Sequence, residues 1–274
     1  MYKIGPFVKW VGGKGQILHE IISRLPDEYN HYYEPFVGSG AVLFGIQPER
    51  ARINDINTQL INIYAQLKIS SEKVINAVKK LDSVECNKDY YYENRGIYNE
   101  KIQNGILDAE TAGLFIWINK HCFNGLYRVN GQGLFNVPYN NRTSGSSMVE
   151  ENLKDIGLYL QNVEICNVDF AEFCNSVKKD DFVYFDSPYI PESETADFTS
   201  YTKGGFGIEE HKRLAALYKT LDQKGAKLML SNNHTALVYE LYAGYKIDSF
   251  AVKRMINRNA GKRTGREVIV TNYE

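Results

Sequence analysis

The tetrapeptide Asp186-Ser187-Pro188-Tyr189 follows the apolar run 182–185 and combines residue types that can hold a planar amine. A short apolar run that ends at a proline turn is typical of a buried strand. The carboxylate can accept a hydrogen bond from the amine, and proline keeps the preceding residue extended, so that its carbonyl can be aimed at the same group. Tyr189 offers a ring on which a base can stack. The tetrapeptide predicts methylation of a nucleobase amino group, although ordinary strand-ending turns use the same residue types.

The segment 36–40 is a glycine-containing turn ahead of a predicted helix. Such glycines let a ligand approach the backbone N–H groups at the start of a helix. The third glycine of Gly-x-Gly-x-x-Gly is missing, which argues against a dinucleotide fingerprint. Asp55, at the tip of the next predicted strand, is placed to accept hydrogen bonds from ribose hydroxyls. The two features predict a site for an adenosine-containing cofactor. A structural turn beside a surface aspartate is the alternative.

The N-terminal segment 9–14 has the glycines and lysine of a phosphate-binding loop, but the pattern fails at both ends. Val8 stands where the first glycine belongs, and Gly15 replaces the required hydroxyl residue. Two interpretations stay open: a cationic lid over a cofactor, with Trp10 as a packing face, or a solvated arm.

Cations cluster near the C-terminus, between two apolar runs that predict strands. They are Lys253, Arg254, Arg258, Lys262, Arg263 and Arg266. Such a run is usually a solvated face, but a loop projecting from a sheet edge can neutralise phosphates. Arg128 and Arg142 can do the same, or one of them can read guanine as a bidentate fork. Phe123 can wedge between base pairs, although burial statistics favour a core aromatic.

Composition limits the remaining classes of protein. The chain has 274 residues, 43% of them hydrophobic, and a net charge of −1, so nucleic-acid binding has to come from local patches. The scattered cysteines and histidines predict free thiols and no metal site. No signal peptide or membrane-spanning run is found, which predicts a cytoplasmic protein.

The elements that must position these residues alternate as in a doubly wound α/β fold. Strands are predicted at 32–37, around 52–55, and at 163–168, 182–185, 227–231, 247–252 and 267–272, with helices at 15–25, 41–46, 208–223 and 234–243. Residues 57–120 are predicted to be mostly helical, and 123–139 form a plausible hairpin. We therefore expect a catalytic domain in two parts, 1–56 and 146–274, interrupted by an inserted domain at 57–145.

Taken together, the motifs resemble the Dam-type family of DNA adenine-N6 methyltransferases, of the D12 class, over nearly the whole chain. The segments that carry the resemblance are 9–14, 34–40, Asn54-Asp55, 123–130, 135–138, 168–170, 186–189 and Ser231-Asn232. The resemblance implies a Rossmann-like S-adenosylmethionine-dependent methyltransferase sheet. It also implies that the inserted, mainly helical domain recognises the DNA target through its β-hairpin. The implied cofactor is S-adenosyl-L-methionine, and the implied target is adenine in GATC within double-stranded DNA.

The resemblance also assigns roles to single residues. It implies cofactor contacts for Trp10, Lys14, Glu34, Phe36, Gly38, Ser39, Gly40, Asp55, Asp169 and Phe170. Asp186, Ser187, Pro188 and Tyr189 would hold the flipped adenine. The predicted DNA contacts are Lys9, Leu126, Arg128 and Pro138 for base reading, Phe123 and Asn124 for entry into the stack, and Arg254, Arg258, Lys262 and Arg263 for the backbone.

Ser187 departs from the family, which usually has Asp-Pro-Pro-Tyr. Serine keeps the backbone carbonyl but loses the fixed φ of proline, an entropic effect of roughly 0.4–1 kcal/mol. Pro188 still restrains it. We expect slowed or unchanged catalysis rather than its loss, and the serine leaves open a weakened or non-catalytic DNA-binding relative.

The predicted reaction is a direct displacement in which Asp186 and the carbonyl of Ser187 each accept one N6–H of an adenine rotated out of the duplex. Methylation of cytosine N4, of adenine in RNA, or of a protein glutamine remains an alternative, because each substrate presents a planar amine. We expect a monomer. A cognate restriction endonuclease acting separately is compatible with the sequence.

Overall fold

The computed structural model describes residues 4–141, 145–190, 206–253 and 264–274. Its strands form one seven-stranded sheet in the order β3-β2-β1-β4-β5-β7-β6. The strands are β1 Tyr32–Glu34, β2 Ala51–Asn54, β3 Val163–Cys166, β4 Phe182–Phe185, β5 Lys227–Asn233, β6 Lys246–Lys253 and β7 Thr264–Thr271. All neighbours pair in parallel except β7, which runs antiparallel to β5 and to β6.

Helices cover both faces of the sheet. They are α1 Leu18–Ile22, α2 Ala41–Ile46, α3 Thr58–Asp82, α4 Lys88–Gln103, α5 Ala109–His121, α6 Glu150–Tyr159, α7 Phe170–Phe173, α8 Ile208–Gln223 and α9 Ala236–Leu241. Strand β4 shows how the sequence divides between the two faces. Phe182 and Tyr184 enter a core with α2 to α6, whereas Val183 and Phe185 enter a second core with α7 to α9. A continuous apolar run is what a strand buried on both faces requires.

The long helix α3 joins the sheet to the helical segment that follows it. Asn57 caps its N-terminus by accepting hydrogen bonds from the backbone N–H groups of Gln59 and Leu60. The helix is interrupted at Ser70, whose φ of −164° and ψ of 94° are extended. Beyond that point α3 packs tightly on α5, where a Cβ on Gly113 would lie 2.6 Å from the Cβ of Ala77. The close packing of these helices therefore depends on a glycine.

The segment 122–139 forms a narrow antiparallel loop that α4 holds in place. Two isolated bridges, Cys122 with Tyr139 and Val129 with Phe135, join its arms. One face of α4 fixes the returning arm, because its side chains donate hydrogen bonds to backbone carbonyls of the arm. Tyr91 and Arg95 both donate to the carbonyl of Val137, and Asn99 donates to that of Phe135. These residues are spaced four apart and thus share a helix face.

The mixed α/β fold with a mostly parallel, Rossmann-like sheet confirms the predicted fold class. The strand at 182–185 and the helices at 41–46 and 208–223 have the predicted bounds. The predicted strand 32–37 ends at Glu34, because Pro35 has no N–H for the ladder. The predicted helix 15–25 is shorter, with a 3₁₀ turn at Lys14–Gln16 followed by α1. The domain boundaries stay a prediction.

Two further properties concern the whole chain. The four cysteines are free thiols, as predicted, and all but Cys166 are buried. No helix in the described part of the chain combines the length and apolar character that a membrane span needs.

Candidate active site

A cavity of about 270 Å³ opens at the carboxyl ends of β1, β2 and β4. The strand order reverses between β1 and β4, and such switch points are where open α/β sheets bind ligands. The cavity brings together three carboxylates that each lie at the end of a strand. They are Glu34, Asp55 and Asp186. The remaining predicted residues that line it are Trp10, Lys14, Phe36, Gly38, Ser39, Ser187, Pro188 and Tyr189.

Asp186 forms an ion pair with Lys14, with 2.5 Å between Oδ1 and Nζ. The hydroxyl of Ser231 donates a longer hydrogen bond of 3.4 Å to the same oxygen. No described residue donates to Oδ2. Burial raises the pKa of Asp186 above its ordinary value, and the charge of Lys14 opposes that shift. One oxygen of the carboxylate is therefore engaged, and the other is available at the cavity.

Lys14 is buried, with 5% of its surface exposed. Besides its ion pair, its ammonium group donates a hydrogen bond of 2.7 Å to the carbonyl of Gly12 and lies 4.3 Å from the centre of the Tyr189 ring. A carboxylate, a carbonyl and an aromatic face thus converge on one nitrogen. The alternative that segment 9–14 is a solvated arm is therefore wrong for Lys14.

The ring of Tyr189 is oriented by Glu267 of β7, whose Oε2 accepts the phenol hydrogen at 2.6 Å. Burial, followed by the charges of Asp186 and Glu267, raises the pKa of Tyr189 well above its ordinary value, so the phenol stays neutral. Sequence reasoning missed Glu267. Its only signal is an acidic residue directly before the apolar run 268–270.

The glycine turn and Asp55 are joined by backbone hydrogen bonds. Oδ2 of Asp55 accepts from the N–H of Gly38 at 3.1 Å, and Oδ1 accepts from that of Asn57 at 2.9 Å. Burial raises the pKa of Asp55 to about 6, against the effect of these amide bonds. Each oxygen keeps a further lone pair for a hydroxyl donor.

Two glycines of the turn serve different ends. Gly38 has φ +52°, and a Cβ there would lie 3.1 Å from the indole of Trp10, so the indole packs directly on the turn. Gly40 has φ +78° and does not line the cavity, because it packs against Phe44 and the hydroxyl of Tyr64. Gly40 therefore has a packing role, and its cofactor contact stays a prediction that the cavity geometry does not support directly.

Glu34 is almost fully buried and accepts a hydrogen bond of 2.7 Å from the hydroxyl of Tyr32. Burial raises the pKa of Glu34 well above its ordinary value, and nearby Asp186 adds to the effect. This carboxyl therefore favours its neutral form.

The structure does not bring Asp169 and Phe170 to the cavity wall. One oxygen of Asp169 caps α7 through the N–H of Ala171, and the other forms an ion pair with Arg213. Phe170 is buried behind Phe36, with 5.4 Å between ring centres. Their cofactor contacts stay a prediction that the cavity geometry does not support directly.

Trp10 and Lys9 attach the N-terminal segment to the helical segment. The indole stacks on Tyr127, with 5.3 Å between ring centres. The side chain of Asn119 accepts from the N–H of Lys9 at 2.8 Å and donates to its carbonyl at 3.0 Å. The same amide donates to the carbonyl of Gly125. The cavity and the loop 122–139 are thus connected through a few buried contacts.

Four of the predicted DNA-contacting residues of this loop lie on the surface. Phe123 is 51% exposed, which excludes the core-aromatic interpretation. Its N–H donates to the carbonyl of exposed Pro138 at 2.8 Å. Asn124 is exposed with φ +57°, and exposed Arg128 donates to Oδ1 of Asn136 at 2.7 Å.

The other predicted DNA contacts divide into two groups. Lys9 is exposed and Leu126 is partly buried. The cationic residues Arg142, Arg254, Arg258, Lys262 and Arg263 lie outside the described residues.

Comparison with known proteins gives a consistent result. Residues 10–256 match the model of the D12 class of N6 adenine-specific DNA methyltransferases. The chain is 40% identical to the type II methyltransferase M1.LlaDCHI of Lactococcus lactis subsp. cremoris, over 98% of this chain and 95% of that protein. It is also 40% identical to the type II methyltransferase M.MjaIII of Methanocaldococcus jannaschii, over 99% and 100% of the two chains. A DNA adenine methylase of Haemophilus influenzae is 32% identical over 94% and 90%.

Proposed function

Since the chain belongs to the D12 class of N6 adenine-specific DNA methyltransferases, we propose that it methylates N6 of adenine in double-stranded DNA at GATC sites, with S-adenosyl-L-methionine as donor. The observation that carries this proposal is that Asp186 and Ser187 line the same cavity as Asp55 and the glycine turn.

The residues at the β1 and β2 ends fit an adenosine-containing donor. Asp55 offers carboxylate oxygens for ribose hydroxyls, and the turn at Gly38 and Ser39 gives close access to the backbone. Phe36 and Trp10 supply apolar walls. When bound, S-adenosylmethionine supplies an electrophilic methyl group.

At the β4 end, the chain holds the amine. Oδ2 of Asp186 and the carbonyl of Ser187 would each accept one N6–H, which would favour a pyramidal nitrogen with its lone pair free to attack the methyl group. As the nitrogen–carbon bond forms, the methyl–sulfur bond would break, and one of the two hydrogen-bonded protons would leave the nitrogen. Positioning of this kind supplies much of the rate. Because Lys14 pairs with Oδ1, its ammonium group favours the charged carboxylate and opposes the effect of burial on the pKa of Asp186.

An adenine inside a duplex cannot reach this cavity, so the proposal includes rotation of the base out of the stack and onto Tyr189. Exposed Phe123 and Asn124 are suited to fill the gap. Lys9, Arg128, Leu126 and Pro138 would read the bases, and the cations at 254–263 would contact phosphates. We propose that a monomer modifies each strand in turn.

The test is methylation of short duplexes with labelled S-adenosylmethionine. Incorporation into a GATC duplex, and at least about tenfold less into duplexes with one base changed, is the expected result. Equal incorporation into all duplexes would contradict the proposed specificity. Incorporation into cytosine would contradict the proposed target atom.

A further inference from the structure

We infer that Asn232 is a positioning residue for methyl transfer: its side-chain amide holds Ser187 so that the Ser187 carbonyl faces the target amine. Asn232 thereby replaces the restraint of the proline that the family motif Asp-Pro-Pro-Tyr usually carries where this chain has Ser187. The role assigned to Asn232 rests on the proposed function of the β4 end, because it concerns an acceptor in that reaction.

The orientation of the Asn232 amide follows from its hydrogen bonds. Its Oδ1 accepts from the N–H of Ile190 at 3.0 Å and from that of Asn233 at 2.8 Å. Since backbone N–H groups can only donate, this atom has to be the oxygen. Nδ2 is thereby directed to Oγ of Ser187, at 3.3 Å. One side chain therefore fixes both Ser187 and Ile190.

Asn232 is itself firmly held. It is 1% exposed and lies on β5, where it pairs with Val268 of β7. A buried side chain on an ordered strand loses little further entropy when it forms a hydrogen bond. It can therefore act as a fixed reference for the loop after β4.

Ser187 is suited to receive this restraint. The residue as a whole is 1% exposed, so the hydroxyl cannot exchange Asn232 for solvent. Ser187 lines the cavity, and no described residue donates a hydrogen bond to its carbonyl. Pro188 limits the backbone on one side, and the hydroxyl bond limits it on the other.

A serine and a proline at position 187 are thus two different ways to fix one carbonyl. With serine, the restraint requires the partner Asn232. With proline, the ring fixes φ, but no hydroxyl remains to accept from Nδ2. The effect of an Asn232 substitution on turnover should depend on the residue at 187.

A double-mutant cycle between Asn232→Ala and Ser187→Ala tests this dependence, with single-turnover methylation as the first readout and urea unfolding as the second. We expect Asn232→Ala to lower the methylation rate about tenfold when Ser187 is present, and about threefold or less when alanine replaces it. Affinity for S-adenosylmethionine should change less than twofold in every variant. In a Ser187→Pro background, Asn232→Ala should likewise lower the methylation rate about threefold or less.

Asn233→Ala is the matched control. Asn233 is the neighbouring residue of the same type, and its Nδ2 donates to the carbonyl of Ile190 at 3.1 Å without contacting Ser187. Its effect on the rate should be the same with serine or alanine at position 187.

Equal losses from Asn232→Ala in all three backgrounds would overturn the positioning role. So would coupling that appears in unfolding but not in the methylation rate, because the bond would then be structural only. If the unmodified protein methylates cytosine or RNA instead, the proposed function fails, while the cycle on that substrate still tests the positioning of the amine. Complete inactivity on all three substrates would overturn both.

Discussion

Three carboxylates share one cavity, yet their surroundings give them different properties. Glu34 is buried against Tyr32, and its raised pKa favours the neutral acid. Asp55 is held by backbone amides, and its pKa of about 6 lets it ionise at neutral pH. Burial also raises the pKa of Asp186, but its ion pair with Lys14 opposes that shift and favours the charged form. Environment rather than residue type thus separates a structural acid from the proposed cofactor ligand and the proposed amine acceptor.

The pKa of Asp55 gives a pH prediction. Below about pH 6 its carboxyl group gains a proton and loses the charge that we propose accepts ribose hydroxyls, so cofactor affinity should fall as the pH decreases from 7.5 to 5. Calorimetric titration at about 0.5-unit steps measures this. Asp55→Asn should bind more weakly at pH 7.5 and show a flatter profile, and an equally steep profile in that variant would assign the titration to another group.

The contact between Tyr189 and Glu267 gives a second prediction. Tyr189→Phe keeps the ring but loses the hydroxyl bond, so we expect the methylation rate to fall about three- to tenfold. Tyr189→Ala also loses the stacking surface, which is worth about 1–3 kcal/mol, so its methylation rate should be clearly lower than that of Tyr189→Phe. The comparison requires single-turnover rates. A rate in Tyr189→Phe as low as in Tyr189→Ala would mean that the hydroxyl, not the ring, is the important group.

At the scale of elements, the loop 122–139 depends on α4 for its shape. The side-chain amide of Asn99 pairs with both backbone groups of Phe135. It donates a hydrogen bond of 3.0 Å to the Phe135 carbonyl and accepts one of 2.9 Å from the Phe135 N–H. Within the loop, Oδ1 of Asn130 accepts from the N–H groups of Gln132 and Leu134. The loop contains isolated bridges but no regular strand, so these side-chain hydrogen bonds take the place of a continuous ladder of backbone hydrogen bonds.

Asn99→Ala should therefore weaken DNA binding about tenfold and leave cofactor binding within twofold, because the loop loses two bonds while the cavity is untouched. Fluorescence anisotropy with a GATC duplex measures the first quantity. Asn104→Ala, at the exposed C-terminal end of the same helix, is the control and should bind DNA normally. Equal affinities for the two variants would remove α4 from the positioning of this loop.

Most helices and strands were predictable from the sequence, whereas the long-range contacts of single side chains were not. The strand at 182–185 is a continuous apolar run, and the strand at 227–233 contains the apolar run 228–230. The carboxyl ends of parallel strands meet at one edge, so Asp55 and Asp186 were predictable as neighbours. The pairing of Lys14 with Asp186 and the contacts of Glu267 and Asn232 join residues far apart in the chain. Local periodicity carries no signal for such contacts. The interruption of α3 at Ser70 likewise has no proline or glycine to announce it.

At the scale of the whole molecule, a net charge of −1 has to be reconciled with a polyanionic substrate. The cations are not spread evenly: Lys9 and Arg128 are exposed beside the loop 122–139, and a basic run lies between β6 and β7 in the sequence. Local patches of this kind attract DNA despite an acidic average.

DNA affinity should therefore decrease steeply with salt, since each phosphate neutralised releases counterions. We expect a linear plot of log affinity against log salt concentration, with a slope that becomes shallower by about 1 in Arg258→Ala. Exposed Lys154, which pairs with Glu150 on α6, offers the control: Lys154→Ala should leave the slope unchanged. Identical slopes in the two variants would exclude Arg258 from phosphate contact.

The most direct test of the whole account is single-turnover methylation of a GATC duplex by Asp186→Ala, with S-adenosylmethionine binding measured on the same sample. We predict that methyl transfer is lost, by at least about a thousandfold, while the cofactor still binds. Transfer at an undiminished rate in a variant that binds cofactor normally would contradict the central claim that Asp186 holds the amine.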